Sequence, residues 1–397
     1  MEESMENCKI VLKSGYTHAS EKGNPWVYSD EIEGFSGTYE NGDIVDVFNG
    51  RDHFIGRGFI NDQSKISVRI MTRDQGEAVD EALIRRRLHS ALRYRQQVMG
   101  GETSFRLVFG EADFLPGLTI DKYGDYYVIQ SLALGMDRFK DTIVHILTED
   151  FQAAGIIERS DVAVRKLEGM EEFKGFLTEP FDPVIQITEN GIKYQVDLLN
   201  GQKTGFFLDQ KENRRAIRRL VQGKTVLDCF THTGSFALNA GASGAASVLG
   251  IDVSKEAIAL AQANAELNGL AETVRFEAHN AFDLLPEWSR EGRKFDVVIL
   301  DPPAFTKSRG SIEGAKRGYR EINLRGINLV EREGYLITCS CSHFMKEEVL
   351  RKTIAEAAAA SGRQLRQVEF RTQSSDHPIL LSLEETYYLK FFIFQVF

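Results

Sequence analysis

The chain has 397 residues, of which 42% are hydrophobic and 27% charged, and its net charge is −10. That length suggests two or three domains at roughly 100–200 residues each, and eight prolines and 34 glycines exclude collagen-like or long low-complexity tracts. Apolar runs such as "FDVVIL" and "YYLKFFIFQVF" fall short of the ~20 residues that cross a bilayer, so no membrane partner is expected.

The acidic start "MEESMENCK" is neither a secretory signal nor a transit peptide. The four cysteines (Cys8, Cys229, Cys339, Cys341) make no disulfide framework and no paired CxxC. The expected compartment is the reducing cytoplasm. The eight histidines show no HxH or HExxH grouping, so no metal site is expected. Residues 1–183 carry 21 Lys+Arg against 32 Asp+Glu, and the remainder is nearly balanced. The acidity therefore belongs to the N-terminal part, and basic clusters are judged locally.

Residues 8–74 alternate in short runs, "KIVLK", "GDIVDVFN", "FIGRGFI" and "SKISVRIMT", which predicts a small β domain. Trp26, in the turn "GNPWVYSDEI", is expected in its core. Residues 75–183 read as a mixed α+β domain. A helix is predicted over Gly76–Met99, acids first and bases last. A hairpin turning at Tyr-Gly-Asp and a helix near Asp137–Glu149 follow. The Arg85–Arg87 triple is expected on a solvated face.

From Val184 to residue 397 strands alternate with helices, which predicts an α/β domain with a parallel, doubly wound sheet. Its ligand is expected at the carboxyl ends of the strands. The first strand–turn–helix, "VLDCFTHTGSFALNA", has neither GxGxxG nor GxxxxGK[ST], which disfavours a dinucleotide or a P-loop triphosphate. Asp228 leaves the strand, and the small turn Thr233-Gly234-Ser235 lets a ligand approach backbone amides. Asp252 ends the second strand, where a carboxylate can accept from both ribose hydroxyls.

Asp228–Gly234, Asp252 and "DPPAF" (Asp301–Phe305) resemble the class I S-adenosylmethionine-dependent methyltransferases, a Rossmann-like fold. The resemblance implies S-adenosyl-L-methionine as cofactor, with Phe230, Ala281 and Asp301 added to the binding set. Asn280 stands where that fold commonly has an acid on the adenine amine, and its carbonyl can accept the same hydrogen bond. The segments "SDVAVRKLEGM", "NGQKTGFFLDQKENR", "DPPAFTKSRGSIEGAKRGYREIN", "TCSCSHFM" and "QSSDHPILLSLEETYYLKFF" are similar to the ribosomal RNA large-subunit methyltransferase I family. This similarity covers nearly the whole chain. It implies a PUA-like first domain, an RNA partner, a homodimer, and methyl transfer to carbon 5 of a cytosine. It also implies that Phe206 or Phe207 lies beside adenine and that Gln210 contacts the methionine end.

Carbon 5 of cytosine needs activation by a thiolate at carbon 6, which is covalent catalysis. RNA cytosine-5 enzymes place that cysteine in Thr/Ser-Cys-Ser, which falls here on Ser340-Cys341-Ser342. Cys341 is the expected nucleophile, and Cys339 lies deeper. Cys229 is expected to pack near the cofactor. Asp301 is the expected acceptor for the base's amine or its protonated ring nitrogen 3. The second cysteine that many such enzymes carry after this proline is replaced by Ala304, so the carbon-5 proton has Cys339, Asp301 or water as candidate acceptors.

Pro302 and Pro303 give a rigid floor, and Phe305 a stacking face for a flipped base. Lys307, Arg309, Lys316, Arg317, Arg320 and Arg325, counted on the loop after "DPPAF" that runs into a helix read over residues 318–331, and the run Arg214, Arg215, Arg218 and Arg219 suit RNA phosphates, with binding that weakens with salt. Two other readings remain open at this point. The (N/D)PP(Y/F) pattern also serves amino-methyltransferases, which need no cysteine. A non-catalytic RNA-binding factor is the third.

Overall fold

The structure, a computed structural model, describes residues 7–15, 17–306 and 309–397. The chain divides into two units. The first comprises residues 1–185, 196–208 and 375–386, and the second 186–195, 209–374 and 387–397.

The first unit opens with β1 (Cys8–Leu12), β2 (Trp26–Tyr28), β3 (Ile32–Ser36), β4 (Ile44–Phe48), β5 (Phe54–Ile60) and β6 (Ile66–Thr72). They form one sheet in the order β2-β6-β5-β4-β1-β3, with β1 parallel to β4 and antiparallel to β3. Alternation buries Ile10, Leu12, Val45 and Val47 on one face. β2 and β3 were not read from the sequence: the three-residue β2 lies in the segment read as a turn, and β3 carries Glu33 and Gly34 in its middle. Trp26 is half-buried rather than core. Its indole N–H donates to Glu111 Oε1 (2.8 Å), and the Arg69 guanidinium lies 5.8 Å from its ring centroid.

The helix α1 (Glu81–Val98) starts where the Asp80 side chain accepts from Leu83 N at 2.9 Å. The arginine triple on it is tied down rather than merely solvated. Arg85 pairs with Glu81 and Asp150, Arg86 with Glu77, and Arg87 with the carbonyls of Met71 and Phe114. Next come β7 (Ser104–Phe109), β8 (Leu118–Tyr123), β9 (Tyr126–Ser131), α2 (Leu134–Asp137), α3 (Lys140–Glu149), β10 (Gly155–Ser160) and β11 (Phe173–Phe176). The five strands form a sheet in the order β11-β10-β9-β8-β7. The helix predicted near 137–149 is α3, and the short α2 precedes it.

A two-stranded hairpin, β12 (Val184–Glu189) and β13 (Ile192–Asp197), precedes α4 (Lys211–Ala216). The second unit is then built from β14 (Thr225–Cys229), α5 (Ser235–Ala242), β15 (Ser247–Asp252), α6 (Lys255–Leu267), β16 (Val274–Ala278), α7 (Ala281–Arg290) and β17 (Phe295–Leu300). It closes with α8 (Ile312–Leu329), β18 (Val330–Ser340), α9 (Glu347–Ser361), β19 (Leu365–Arg371) and β20 (Lys390–Val396). The sheet order is β16-β15-β14-β17-β18-β20-β19. The first five strands are parallel, and β20 runs antiparallel to both of its neighbours.

Strands covered on both faces read as continuous apolar runs, and "FDVVIL" of β17 is buried along nearly its whole length. One core joins Leu227, Val298 and Leu336 of the sheet to Leu285 of α7, Ile322 of α8 and Ile354 of α9. The helix read from Gly318 onward begins earlier, so Lys316 and Arg317 lie on it with Arg320 and Arg325. Its Ala315, Tyr319, Ile322 and Gly326 recur at helical spacing and are buried, which brings the start of α8 back to Ile312. Among the described residues no helix is long and apolar enough to cross a membrane.

Candidate active site at the carboxyl edge of the parallel strands

Because β14 to β18 are parallel, their carboxyl ends share one edge, and the strand order reverses between β14 and β17. That reversal is where an open α/β sheet presents a crevice. Asp228, Asp252, Asn280, Asp301 and Cys341 all fall at or within two residues of those strand ends. The parallel topology alone therefore brings the group to one edge.

The turn from β14 into α5 is strained. Phe230 (φ 64°) and His232 (φ 50°) are non-glycine residues in the left-handed region, and Gly234 follows at φ 86°. Such conformations persist only where surroundings over-determine them. Here Thr231 N donates to Ile251 O (3.0 Å) and His232 N to Asp252 Oδ2 (2.9 Å). A Cβ on Gly234 would lie 2.6 Å from Phe276, so the position needs glycine on both conformational and steric grounds. Asp228 is fully buried. Its Oδ2 accepts from Thr231 Oγ1 (2.5 Å) and Ala237 N (3.0 Å), so the carboxyl holds the turn and faces no solvent. Thr233 Oγ1 and Asp228 Oδ1 are buried without a hydrogen-bond partner among the described residues.

Burial pushes the Asp228 carboxyl up to about 7. The Thr231 hydrogen bond opposes this, and the Asp301 charge adds to it. A raised carboxyl keeps its proton in the folded state while the unfolded chain loses it, so its contribution to stability falls as pH rises from about 4 to about 7. Asp228→Asn should remove that fall. Urea denaturation at pH 5 and pH 8 is expected to show the difference between the two pH values reduced by about 2–3 kcal/mol in the variant. An unchanged difference would contradict a proton on Asp228.

Both carboxylate oxygens of Asp252 already accept backbone N–H groups, from His232 and from Ser254 (3.0 Å), which fixes the plane of the group. Val253 beside it is 69% exposed, a large apolar side chain at the edge that the sequence reading passed over. Asn280 caps α7. Its Oδ1 accepts from Phe282 N (3.0 Å), and its amide donates to Asp283 (2.8 Å). Ala281 is buried in the core behind it. Ser235 begins α5 and is half-buried.

Asp301 follows β17 and is half-buried. It accepts from Gln210 Nε2 at 3.1 Å. Pro302 is buried and Pro303 exposed. The Phe305 ring packs on Tyr319 (centroids 4.7 Å apart) and Phe282 (5.8 Å), so part of its surface is committed to the protein. The two cysteines of "TCSCS" differ sharply. Cys339 is fully buried, and burial together with the Asp301 charge pushes its thiol well above the ordinary range. Cys341, one residue past the strand, is half-buried.

Three contacts hold the Cys341 segment. Ser340 Oγ donates to Tyr319 Oη (2.9 Å), Ser342 Oγ donates to Thr306 O (3.1 Å), and Lys390 Nζ donates to Ser342 O (2.7 Å). Lys390 is itself buried. It comes from β20, far along the chain, and no local pattern pointed to it. Cys229 is buried in the core, and Cys8 is buried in the first unit with its thiol donating to Ser36 O (3.1 Å).

The remaining predicted residues divide. Phe206 belongs to the first unit, where its N–H donates to the Tyr123 hydroxyl at 3.1 Å. Lys307 lies outside the described residues, and of Arg309 only the backbone is described. Lys316 pairs with Glu313 and Arg325 with Glu321, while Arg317 and Arg320 are exposed on α8. Arg214 is not available to RNA. It is buried and paired with Glu189 (2.7 Å). Arg218 donates to Asn239 Oδ1 and Asn190 O, and Arg219 pairs with Glu369.

Residues 164–379 match the S-adenosylmethionine-dependent methyltransferase family, and residues 10–73 match the PUA-like domain family. A Shewanella denitrificans protein named ribosomal RNA large subunit methyltransferase I is 42% identical over 388 residues, covering 96% of this chain and 98% of that one. A Klebsiella pneumoniae protein of the same name is 38% identical, covering 98% of each. A solved structure assigned as a methyltransferase and complexed with SAH has a TM-score of 0.84 at 22% identity, over 98% of this chain and 99% of that one, a likeness of fold. With a full-length relative above 40% identity and the methyltransferase match spanning the parallel sheet, the chain belongs to the S-adenosylmethionine-dependent methyltransferases, in the family whose members are named ribosomal RNA large subunit methyltransferase I.

Proposed function

We propose that this methyltransferase forms 5-methylcytosine in large-subunit ribosomal RNA, in the cytoplasm, through a covalent adduct on Cys341. The observation that carries the reading is the contrast between the two thiols: Cys341 is accessible at the strand end, and Cys339 is buried. RNA as substrate is supported by the relatives' name and by the PUA-like match.

The carboxyl edge fits the cofactor. Asp252 is oriented by backbone N–H groups and retains lone pairs for ribose hydroxyls. Val253 offers an exposed apolar face for the adenine ring. The Phe230–Gly234 turn brings backbone close without a Cβ at its last position. Asn280 and Ala281 border the adenine end, and Thr233 with Ser235 the methionine end. S-Adenosylmethionine supplies an electrophilic methyl group on a sulfonium.

The protein's own part is to make cytosine nucleophilic. Cys341 thiolate bonds to carbon 6, and the electron pair of the carbon 5–carbon 6 double bond moves toward carbon 5 and the ring nitrogen. Asp301 accepts from the exocyclic amine or from a protonated ring nitrogen 3, which draws that density and favours the addition. After carbon 5 has gained a methyl group it loses its proton, and the returning pair expels the thiolate. The buried Lys390 ammonium, held on the Ser342 carbonyl, is a positive charge at this end of β18 that suits a thiolate. Pro302, Pro303 and the free part of Phe305 border the base. Arg317 and Lys316, with Lys307 and Arg309 before them, lie on the segment that follows and suit phosphates.

The test is nucleoside mass spectrometry after incubating the enzyme with large-subunit RNA and methyl-labelled cofactor. Label in 5-methylcytidine is expected. Label in a base methylated on an exocyclic amine would overturn the covalent reading.

A further inference from the structure

Asp301 is the end of a chain of buried polar groups. Its Oδ1 accepts from Gln210 Nε2 at 3.1 Å. Gln210 Oε1 accepts from Asn213 Nδ2 at 2.7 Å. Asn213 Nδ2 also donates to Thr372 O (3.1 Å), and its Oδ1 accepts from Arg371 Nε at 3.1 Å. Arg371 is braced in turn by Glu369 at 2.8 Å, with Glu212 at 3.9 Å. Gln210 and Asn213 are 4% and 1% exposed, so water does not substitute for these partners. All of these residues lie in the second unit.

The direction of every link is forced. Arginine only donates, so Asn213 must turn its oxygen to Arg371 and its amide nitrogen to Gln210 and Thr372. Gln210 must then accept with its oxygen and donate with its nitrogen. Flipping either amide would set N–H against N–H, or carbonyl against carbonyl. Asp301 therefore meets a donor whose orientation is fixed three residues away. We propose that Arg371, Asn213 and Gln210 are a positioning relay that keeps Asp301 ionised and accepting, ready for the substrate base.

The surroundings explain why a relay is needed. Asp301 is faced by Asp228 from β14, by Cys339 from β18 and by Tyr319 from α8. A neighbouring carboxyl and partial burial each act against a carboxylate's charge. A hydrogen bond to the charged form opposes that pull. Gln210 replaces water in this role, with no reorganisation when a base arrives. Gln210 also lies within hydrogen-bonding reach of the Cys339 sulfur, so one amide orders both groups.

The inference rests on the placement of Asp301 against the target base under the proposed function. Its test is Asn213→Asp, which keeps the size of the side chain and the acceptor for Arg371 but removes the donor to Gln210. The Gln210 amide then turns, and its oxygen faces Asp301. With a large-subunit RNA transcript as substrate, kcat at pH 7 is expected to fall about 10- to 100-fold, and the acidic limb of the kcat–pH profile to move up by about one unit.

A fall in kcat without movement of the limb would overturn the relay, since a merely structural change has no reason to shift it. Arg371→Met, at a partly exposed position, tests the same chain with little risk to folding. A smaller shift in the same direction is expected there, and an unchanged limb would again contradict the relay. The product nucleoside is identified in the same reactions. Were the wild type to methylate an exocyclic amine, the cytosine carbon-5 reading would fall, while the limb would still report on Asp301.

Discussion

Cys341→Ala is expected to lower methylation by about 10³-fold or more, the scale of losing a covalent route, while Cys339→Ala retains most activity. The difference follows from position on β18. Both side chains lie on one side of the strand by alternation, so the pattern alone treats them as equals. The structure separates them. Cys339 is fully buried against Asp301, and both burial and that charge hold its proton on. A thiol kept protonated is a poor nucleophile. Cys341 stands past the last strand residue, in a segment fixed by Ser340, Ser342 and Lys390. Single-turnover rates of the two variants, with thermal melts to confirm folding, check the expectation. Equal losses in both would point to a shared structural role.

Arg214→Ala is expected to cost about 3–5 kcal/mol of stability. Its side chain and that of Glu189 are at most 2% exposed, and they pair at 2.7 Å. Removing the guanidinium takes the 2.7 Å ion-pair partner from a buried carboxylate, which is far worse than losing an exposed ion pair. Urea denaturation should show a lower midpoint with an unchanged slope. Arg214→Met combined with Glu189→Leu should recover part of the loss, because an apolar pair of similar volume can replace a buried ion pair. Weaker RNA binding at undiminished stability would instead return Arg214 to the RNA surface.

Much of the second unit was legible because its signals are local. Strand runs bounded by small turns gave the βα alternation, and the residues at strand ends gave the carboxyl edge. Asp252, Asp301 and the Ser340-Cys341-Ser342 triplet each stand at a position that topology alone brings together. What was not legible depends on partners distant in sequence. Lys390 reaches Ser342 across 48 residues, and Arg371 reaches Asn213 across 158. A basic run does not say which of its members turn inward, so Arg214 was read with Arg219. The early turns of α8 were hidden by Gly314 and Gly318, which weaken a helical pattern that Ala315 and Tyr319 nonetheless complete. Asp228 was read as a ligand contact, and its hydrogen bonds from Thr231 and Ala237, across the turn that follows it, could not be read from local pattern.

The central claim is a covalent bond between Cys341 and the target cytosine, and trapping that bond tests it most directly. Large-subunit RNA transcribed with 5-fluorocytidine can form the adduct and accept the methyl group, but it has no carbon-5 proton to lose, so the thiolate is not expelled. Incubation with S-adenosylmethionine, followed by nuclease and protease digestion and peptide mass spectrometry, should place a methylated 5-fluorocytidine on the peptide containing Cys341. An adduct on Cys339, or full methylation of unmodified RNA with no adduct on the fluorinated one, would contradict the account.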